Sequence, residues 1–346
     1  MKRLLTLATF LGIMMSSQAQ DIHFSQFYMA PLDLNPALTG VMNCKMRFTA
    51  NFRNQWAAVL KNNAYNTYML SYDQKIPVGR YDYFGFGGLA WGDRAGALDF
   101  GTLQLKLSAS YSKRLGGSRT SSHYMVFGAN GGISQRSISF QNAQFGSQND
   151  DGVFNPNQNS GETSPSPNFL WADVSAGLLW FSIFDENNNL YIGLAGNHLN
   201  EANQSFYNES IVPLYSKYTF HVGGQFGLTR DLSLVPGLVT FFQGPSFEVN
   251  GGTSLRFQLS RGRNGDQSFQ IGAWARVSNA IEEEGTTFDA VILSTRFDYD
   301  QFGIGFSYDI NVSPLRQASN ANGSFEFSVI YNICRPERRG VYCPSF

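Results

Sequence analysis

The chain has 346 residues, room for one large all-β domain or two ordinary ones. Its formal net charge of −1 gives no electrostatic basis for a nucleic-acid partner, and only 15% of its residues are charged, against about 25% in ordinary soluble proteins. Aromatic residues make up another 15%, with 30 Phe and 16 Tyr beside 35 Gly, yet mean hydropathy is only −0.22. Side chains alternating between lipid and a polar interior produce that combination.

The first residues read as a secretion signal. Lys2 and Arg3 supply positive charge, residues 4–15 form an apolar stretch of 12, and Ser17-Gln18-Ala19 is a small-x-small cleavage site. Twelve apolar residues fall short of the ~20 that a membrane core demands, so 1–19 is expected to be removed, leaving Gln20 first. No Cys stands near that site, which argues against a lipid anchor. No later apolar run approaches spanning length. A mature membrane protein could therefore only be a closed β-barrel.

Residues 20–43 form a separate N-terminal segment that does not alternate. Asn35 before Pro36 is the pattern of a helix N-cap with proline at N1, and Gly40 is a stop, so one helical turn is expected over 36–39. Phe24, Phe27 and Tyr28 are too apolar for a free tail. The segment is expected to pack against the base of the barrel or fill it as a plug, and it is also a candidate docking surface for a periplasmic or secreted partner.

From residue 44 a period of two takes over. Fourteen strands are expected near 47–57, 65–76, 82–93, 100–114, 123–136, 170–183, 188–199, 217–229, 231–243, 246–261, 267–278, 286–299, 301–311 and 323–334. In the last, Phe325, Phe327, Val329, Tyr331 and Ile333 share one face and Glu326, Ser328, Ile330 and Asn332 the other. A soluble sandwich would bury the oily face. A membrane barrel turns it to lipid. Connection lengths favour the barrel: the long ones, 137–169, 200–216 and 312–322, are the fifth, seventh and thirteenth. The sixth (184–187), eighth (Arg230) and twelfth (Asp300) are tight. With the N-terminus in the periplasm, long odd-numbered loops lie outside the cell and short turns inside. The fold class expected is thus all-β: a transmembrane antiparallel up-and-down barrel of about 14 strands over 44–334.

Alternation places Arg53, Lys106, Glu248, Arg256, Arg276, Arg296, Asp298, Asp309 and Glu326 in the lumen. Both signs are present, so an ion-pair network that fills the interior is the structural expectation and a selective pore the functional one. The tail, 335–346, is locally basic and carries two prolines; it is expected on the periplasmic side. Phe346 is too far from Ile333 to sit in strand register. Cys44 and Cys334 stand where the first and last strands meet, with Cys343 on the nearby tail. One disulfide among the three is expected, its pairing open, against the alternative of three free thiols. The four His (His23, His123, His198, His221) belong to no Gly-x-Ser-x-Gly elbow and no His-Glu-x-x-His motif. No enzyme activity, metal or cofactor is expected.

The run H-F-S-Q-F-Y at 23–28 followed by N-P-A-L-T-G at 35–40, with V-Y-C-P-S-F at 341–346, resembles the PorP/SprF family of outer-membrane proteins of Bacteroidota. The resemblance implies association with type IX secretion: work with its machinery proteins, and secretion, gliding or surface anchoring of one cargo or adhesin carrying a type B C-terminal sorting domain. The matched positions are His23, Phe24, Ser25, Gln26, Phe27, Asn35, Pro36, Thr39, Gly40, Cys343, Pro344 and Phe346, with roles in docking or plugging. The partners expected are outer-membrane lipid, that cargo and the machinery, with no nucleic acid. The alternative is a porin or small-solute or lipid transporter.

Overall fold

The computed structural model describes residues 21–334 apart from the short pieces 119–120, 141–142, 151–152, 156, 162–166, 186, 207–210, 261–265 and 280–284. The expected signal peptide, Gln20 and the tail with Cys343, Pro344 and Phe346 lie outside the described residues.

Fourteen antiparallel strands close on themselves. They are β1 (Met46–Gln55), β2 (Tyr65–Val78), β3 (Asp82–Ala95), β4 (Phe100–Gly117), β5 (Ser122–Ser137), β6 (Asn168–Ile183) and β7 (Asn189–Asn197). The second half comprises β8 (Lys217–Gly227), β9 (Leu232–Gln243), β10 (Ser246–Ser260), β11 (Gln267–Asn279), β12 (Thr286–Tyr299), β13 (Phe302–Asn311) and β14 (Asn322–Ile333). Each strand pairs with its sequence neighbours, and β1 returns to β14 in register from Met46 with Ile333 to Gln55 with Ser324. Closure leaves no unpaired edge, which is the condition for strands to cross a bilayer. Cys44 and Cys334 are disulfide-bonded, Cα to Cα 4.3 Å, just beyond the end of this seam.

Burial along the strands is inverted relative to a soluble sheet. On β1, Arg47, Thr49, Asn51 and Arg53 are buried, while Phe48 is 42% exposed. Leu70, Leu107 and Leu170, at 63%, 66% and 68%, are among the many apolar side chains on the outside. In water so large an apolar surface would drive aggregation; facing hydrocarbon it is solvated. Among the described residues no helix is long and apolar enough to cross a membrane, and the strands make the crossing.

The connections sort by end. At the odd-numbered end lie 56–64, 96–99, 138–167, 198–216, 244–245, 280–285 and 312–321. At the even-numbered end none is longer than 261–266. One expectation needs correction. The eighth and twelfth turns are not single residues but 228–231 and 300–301, because alternation persists past the last ladder bond and pulls a sequence-drawn boundary inward. The odd end also holds the two-residue turn 244–245 that the expected strands 231–243 and 246–261 leave.

Candidate functional site

The lumen is occupied by the N-terminal segment. From Phe24 to Met42 every residue but Asp33 is buried. The chain passes through a 3-10 turn at Phe27–Met29, an α-helical turn at Pro31–Leu34 and a second 3-10 turn at Pro36–Leu38. The last is the expected Asn-Pro start: Asn35 Oδ1 accepts from Ala37 N at 2.8 Å, and Gly40 ends the turn with φ of 72°.

The segment is gripped along its length. At the odd end Lys217 Nζ donates to the Ile22 carbonyl at 2.9 Å, and Asp21 N donates to Gln243 Oε1 at 2.9 Å. His198, in the loop after β7, lies between the carboxylates of Asp21 and Asp173, and Lys106 meets Asp173 at 2.7 Å. Burial alone would lower the His198 imidazole, but Asp21 and Asp173 hold it up to about 9. Burial works against ionised Asp21 as well, and the His198 charge overrides it, holding that carboxyl well below its ordinary value. His23 is the reverse case: burial, with Arg53, Arg276 and Lys217 nearby, keeps its imidazole neutral where it meets Glu248 at 3.5 Å.

Deeper in, Glu326 accepts from two consecutive backbone amides, Ser25 N at 2.6 Å and Gln26 N at 2.8 Å. Arg53 bonds Glu326 and lies 3.3 Å from Asp309, which Arg276 also bonds, and Ser25 Oγ donates to Asp309 at 2.8 Å. The Ser-Gln pair is thus seated on a buried charge cluster in which Arg53, Arg276 and Asp309 each have ion partners on two strands. Phe27 and Tyr28 pack on Trp274, with centroids 5.6 and 5.5 Å away. Asn35 Nδ2 reaches the carbonyls of Leu178 and Leu194, each at 3.1 Å, and His221 Nε2 at 3.0 Å. Thr39 Oγ1 meets Ser108 at 2.7 Å. At the even end Arg47 forks onto Asp73 (3.0 and 2.8 Å) and donates to the Leu38 carbonyl, while Asp73 accepts from Gly40 N at 2.7 Å.

Glycine on the lumen wall makes room for this. A Cβ on Gly85 would stand 2.2 Å from the Thr39 carbonyl oxygen, on Gly128 2.3 Å from Ala37 N, on Gly177 1.9 Å from Asn35 Oδ1 and on Gly305 2.3 Å from Gln26 Oε1. Four strands thus omit a side chain where the segment passes.

All nine charges assigned to the lumen line it. Arg256 and Arg296 share Asp298 near the even end, at 3.7 and 2.8 Å, and Lys106 pairs with Asp173. Sequence reasoning missed Arg47, Asp73, Asp173 and His198. The first three were within reach, since Arg47 has the parity of Arg53, and Asp73 and Asp173 take the parity opposite to the outward Leu70 and Val174. The expectation that the N-terminal segment lies on the side of the short turns is corrected for its start. Asp21 is at the end bearing the long connections, and Val41 to Cys44 reach the other rim. The segment threads the lumen from end to end, a course that no local sequence signal encodes.

A closed membrane β-barrel whose interior is filled by its own N-terminal segment is what these contacts define. Its sequence matches the model of the type IX secretion system membrane protein PorP/SprF over residues 16–331, and the chain belongs to that family of outer-membrane proteins. A comparison with curated protein sequences finds no match. Among solved structures, a bacterial polysaccharide outer membrane secretin is 9% identical, over 84% of this chain and 99% of that one, with a TM-score of 0.37. CdiB from Escherichia coli is 8% identical over 82% and 63%, with a TM-score of 0.46. The toluene transporter TbuX of Ralstonia pickettii is 11% identical over 92% and 96%, with a TM-score of 0.44.

Proposed function

We propose that the protein is a non-enzymatic accessory barrel of type IX secretion that holds one cargo or adhesin, by its type B C-terminal sorting domain, at the cell surface, with a role in gliding where that adhesin drives it. The long connections 138–167 and 198–216 would receive the partner outside the cell. The even-numbered rim, with Cys44 and Cys334, would face the periplasmic machinery. On this orientation the chain, once cleaved after Ala19, begins at the outer mouth rather than in the periplasm.

The observation that carries the reading is the occupied lumen. A transporter needs a path, whereas here the interior is bonded to the chain's own backbone from Ile22 to Gly40. The test is a mild-detergent pull-down of the tagged protein from its native outer membrane, followed by mass spectrometry. Recovery of a secreted protein with a C-terminal sorting domain supports the reading and names the cargo. Recovery of secretion-ring proteins without cargo indicates a core machine component, and a solitary barrel sinks the proposal.

The porin reading keeps one observation in its favour. Cavities of about 510 Å³ at the odd end and about 370 Å³ at the even end flank the segment, as vestibules would if it moved.

A further inference from the structure

The odd-end cavity of about 510 Å³ falls within the size range of ligand sites, roughly 300–1,000 Å³. Its floor is the chain's own Asp21, Ile22 and His23, so it is blind toward the lumen. Its walls include the aromatic rings of Tyr65, Trp91 and Phe100, and Arg136, near the end of β5, reaches it from the side.

Arg136 differs from the other lumen arginines. Arg47, Arg53, Arg256, Arg276 and Arg296 each meet a carboxylate. Among the described residues Arg136 has none within ion-pair distance. Its guanidinium is instead held between the rings of Phe100 and Trp171, 5.4 and 5.3 Å from their centroids. Nε donates to Thr102 Oγ1 at 3.3 Å and Nη1 to Gln204 Oε1 in the loop 198–216. No described residue takes up Nη2. Trp171 beside it is 8% exposed, and its Nε1–H has no acceptor among the described residues. Nη2 is therefore the donor left for an incoming group at the cavity wall; the Trp171 ring backs the guanidinium but does not itself line the cavity. Asp21 and Asp93 also line the cavity, but Asp21 is engaged by His198 and Asp93 accepts from Thr67 at 2.7 Å.

We propose that this cavity binds the carboxylate-bearing end of an extended peptide, with Arg136 as its anchor; the inference rests on the surface-partner reading, and that partner would supply the peptide. A rigid guanidinium with no carboxylate in ion-pair contact, only the more distant Asp21 and Asp93, is suited to take one from a ligand. The same mouth already holds peptide backbone: Lys217 grips the Ile22 carbonyl and Gln243 the Asp21 amide. Gln204 ties the anchor to a long loop, so occupation of the cavity would be felt by the loop that meets the partner.

The test uses the full-length barrel in detergent and a mixture of acetylated pentapeptides, with free C-terminal carboxylates in one arm and C-terminal amides in the other. Retained peptides are read by mass spectrometry. Retention from the acid arm is expected to exceed the amide arm by about tenfold, the least that a charge-assisted hydrogen bond contributes. Arg136→Gln should abolish the difference and Arg136→Lys should keep part of it. Asp93→Asn, which removes a neighbouring negative charge, should increase acid retention, the opposite of what a damaged fold would do. Equal retention in both arms, or an unchanged difference in Arg136→Gln, overturns the inference. If wild type and Arg136→Gln pull down the same sorting-domain partner equally, the site falls while the function stands. If peptides are retained through Arg136 but no partner is recovered, the function falls and the site stands.

Discussion

At the residue scale, the lumen works because charge and the absence of side chains are placed against one backbone. Glu326 is fully buried, faces Arg53 and accepts two amides of the Ser-Gln pair. Glu326→Gln keeps its shape but leaves Arg53 short of a counter-charge, so a loss of about 3–5 kcal/mol is expected in urea titration of the folded barrel. Glycine offers a paired test. In Gly177→Ala the new Cβ meets Asn35 at 1.9 Å, and overpacking should cost about 1–3 kcal/mol or displace the turn at Pro36–Leu38. Gly131→Ala, whose Cβ would find its nearest neighbour at 3.8 Å, should be near neutral in the same urea titration. Side-chain direction was legible here, because the period of two assigns each charge a face. Partner choice was not. Arg53 meets Glu326 across 273 residues of sequence, and which carboxylate lies opposite depends on a register set by barrel closure.

At the scale of elements, the N-terminal segment and the seam each carry a prediction. The Asp21–His198 contact is one of the anchors that hold the start of the segment, with Lys217 and Gln243. His198 is raised to about 9 from 6.5, so its contribution is complete below 6.5 and is lost as pH rises through about 9. Asp21 is lowered, so its contribution is present above 3.8 and is lost as pH falls below that value. The gap in Tm between wild type and Asp21→Asn should therefore be widest between 3.8 and 6.5 and narrow above 9, where only the Lys217 and Lys106 charges still act on Asp21. A gap that persists unchanged above 9 would refute the role of His198. At the seam, the Cys44–Cys334 bond joins residues 290 apart. Its reduction should cost about 2–5 kcal/mol, seen as a lower melting temperature with dithiothreitol than without. The turn at Pro36–Leu38 could be read locally, since Asn-Pro is a capping signal with its own mechanism. The turns at Phe27–Met29 and Pro31–Leu34 could not, because the lumen wall that packs against them comes from distant strands.

At the scale of the whole molecule, fourteen strands and an apolar exterior were legible because alternation over long segments is the strongest signal a sheet leaves in sequence. Strand ends were less so, and the turns at 228–231 and 300–301 came out too short for that reason. The course of residues 21–42 was hidden, since a segment without periodicity says only that it is buried, not which way it runs. That course makes the barrel an inside-out core, polar wall around an apolar-polar thread. Single-channel recording of the full-length protein in planar bilayers tests this most directly. A barrel closed by its own backbone predicts no steady conductance. A stable open current from the wild-type protein would contradict the closed lumen and move the function to transport.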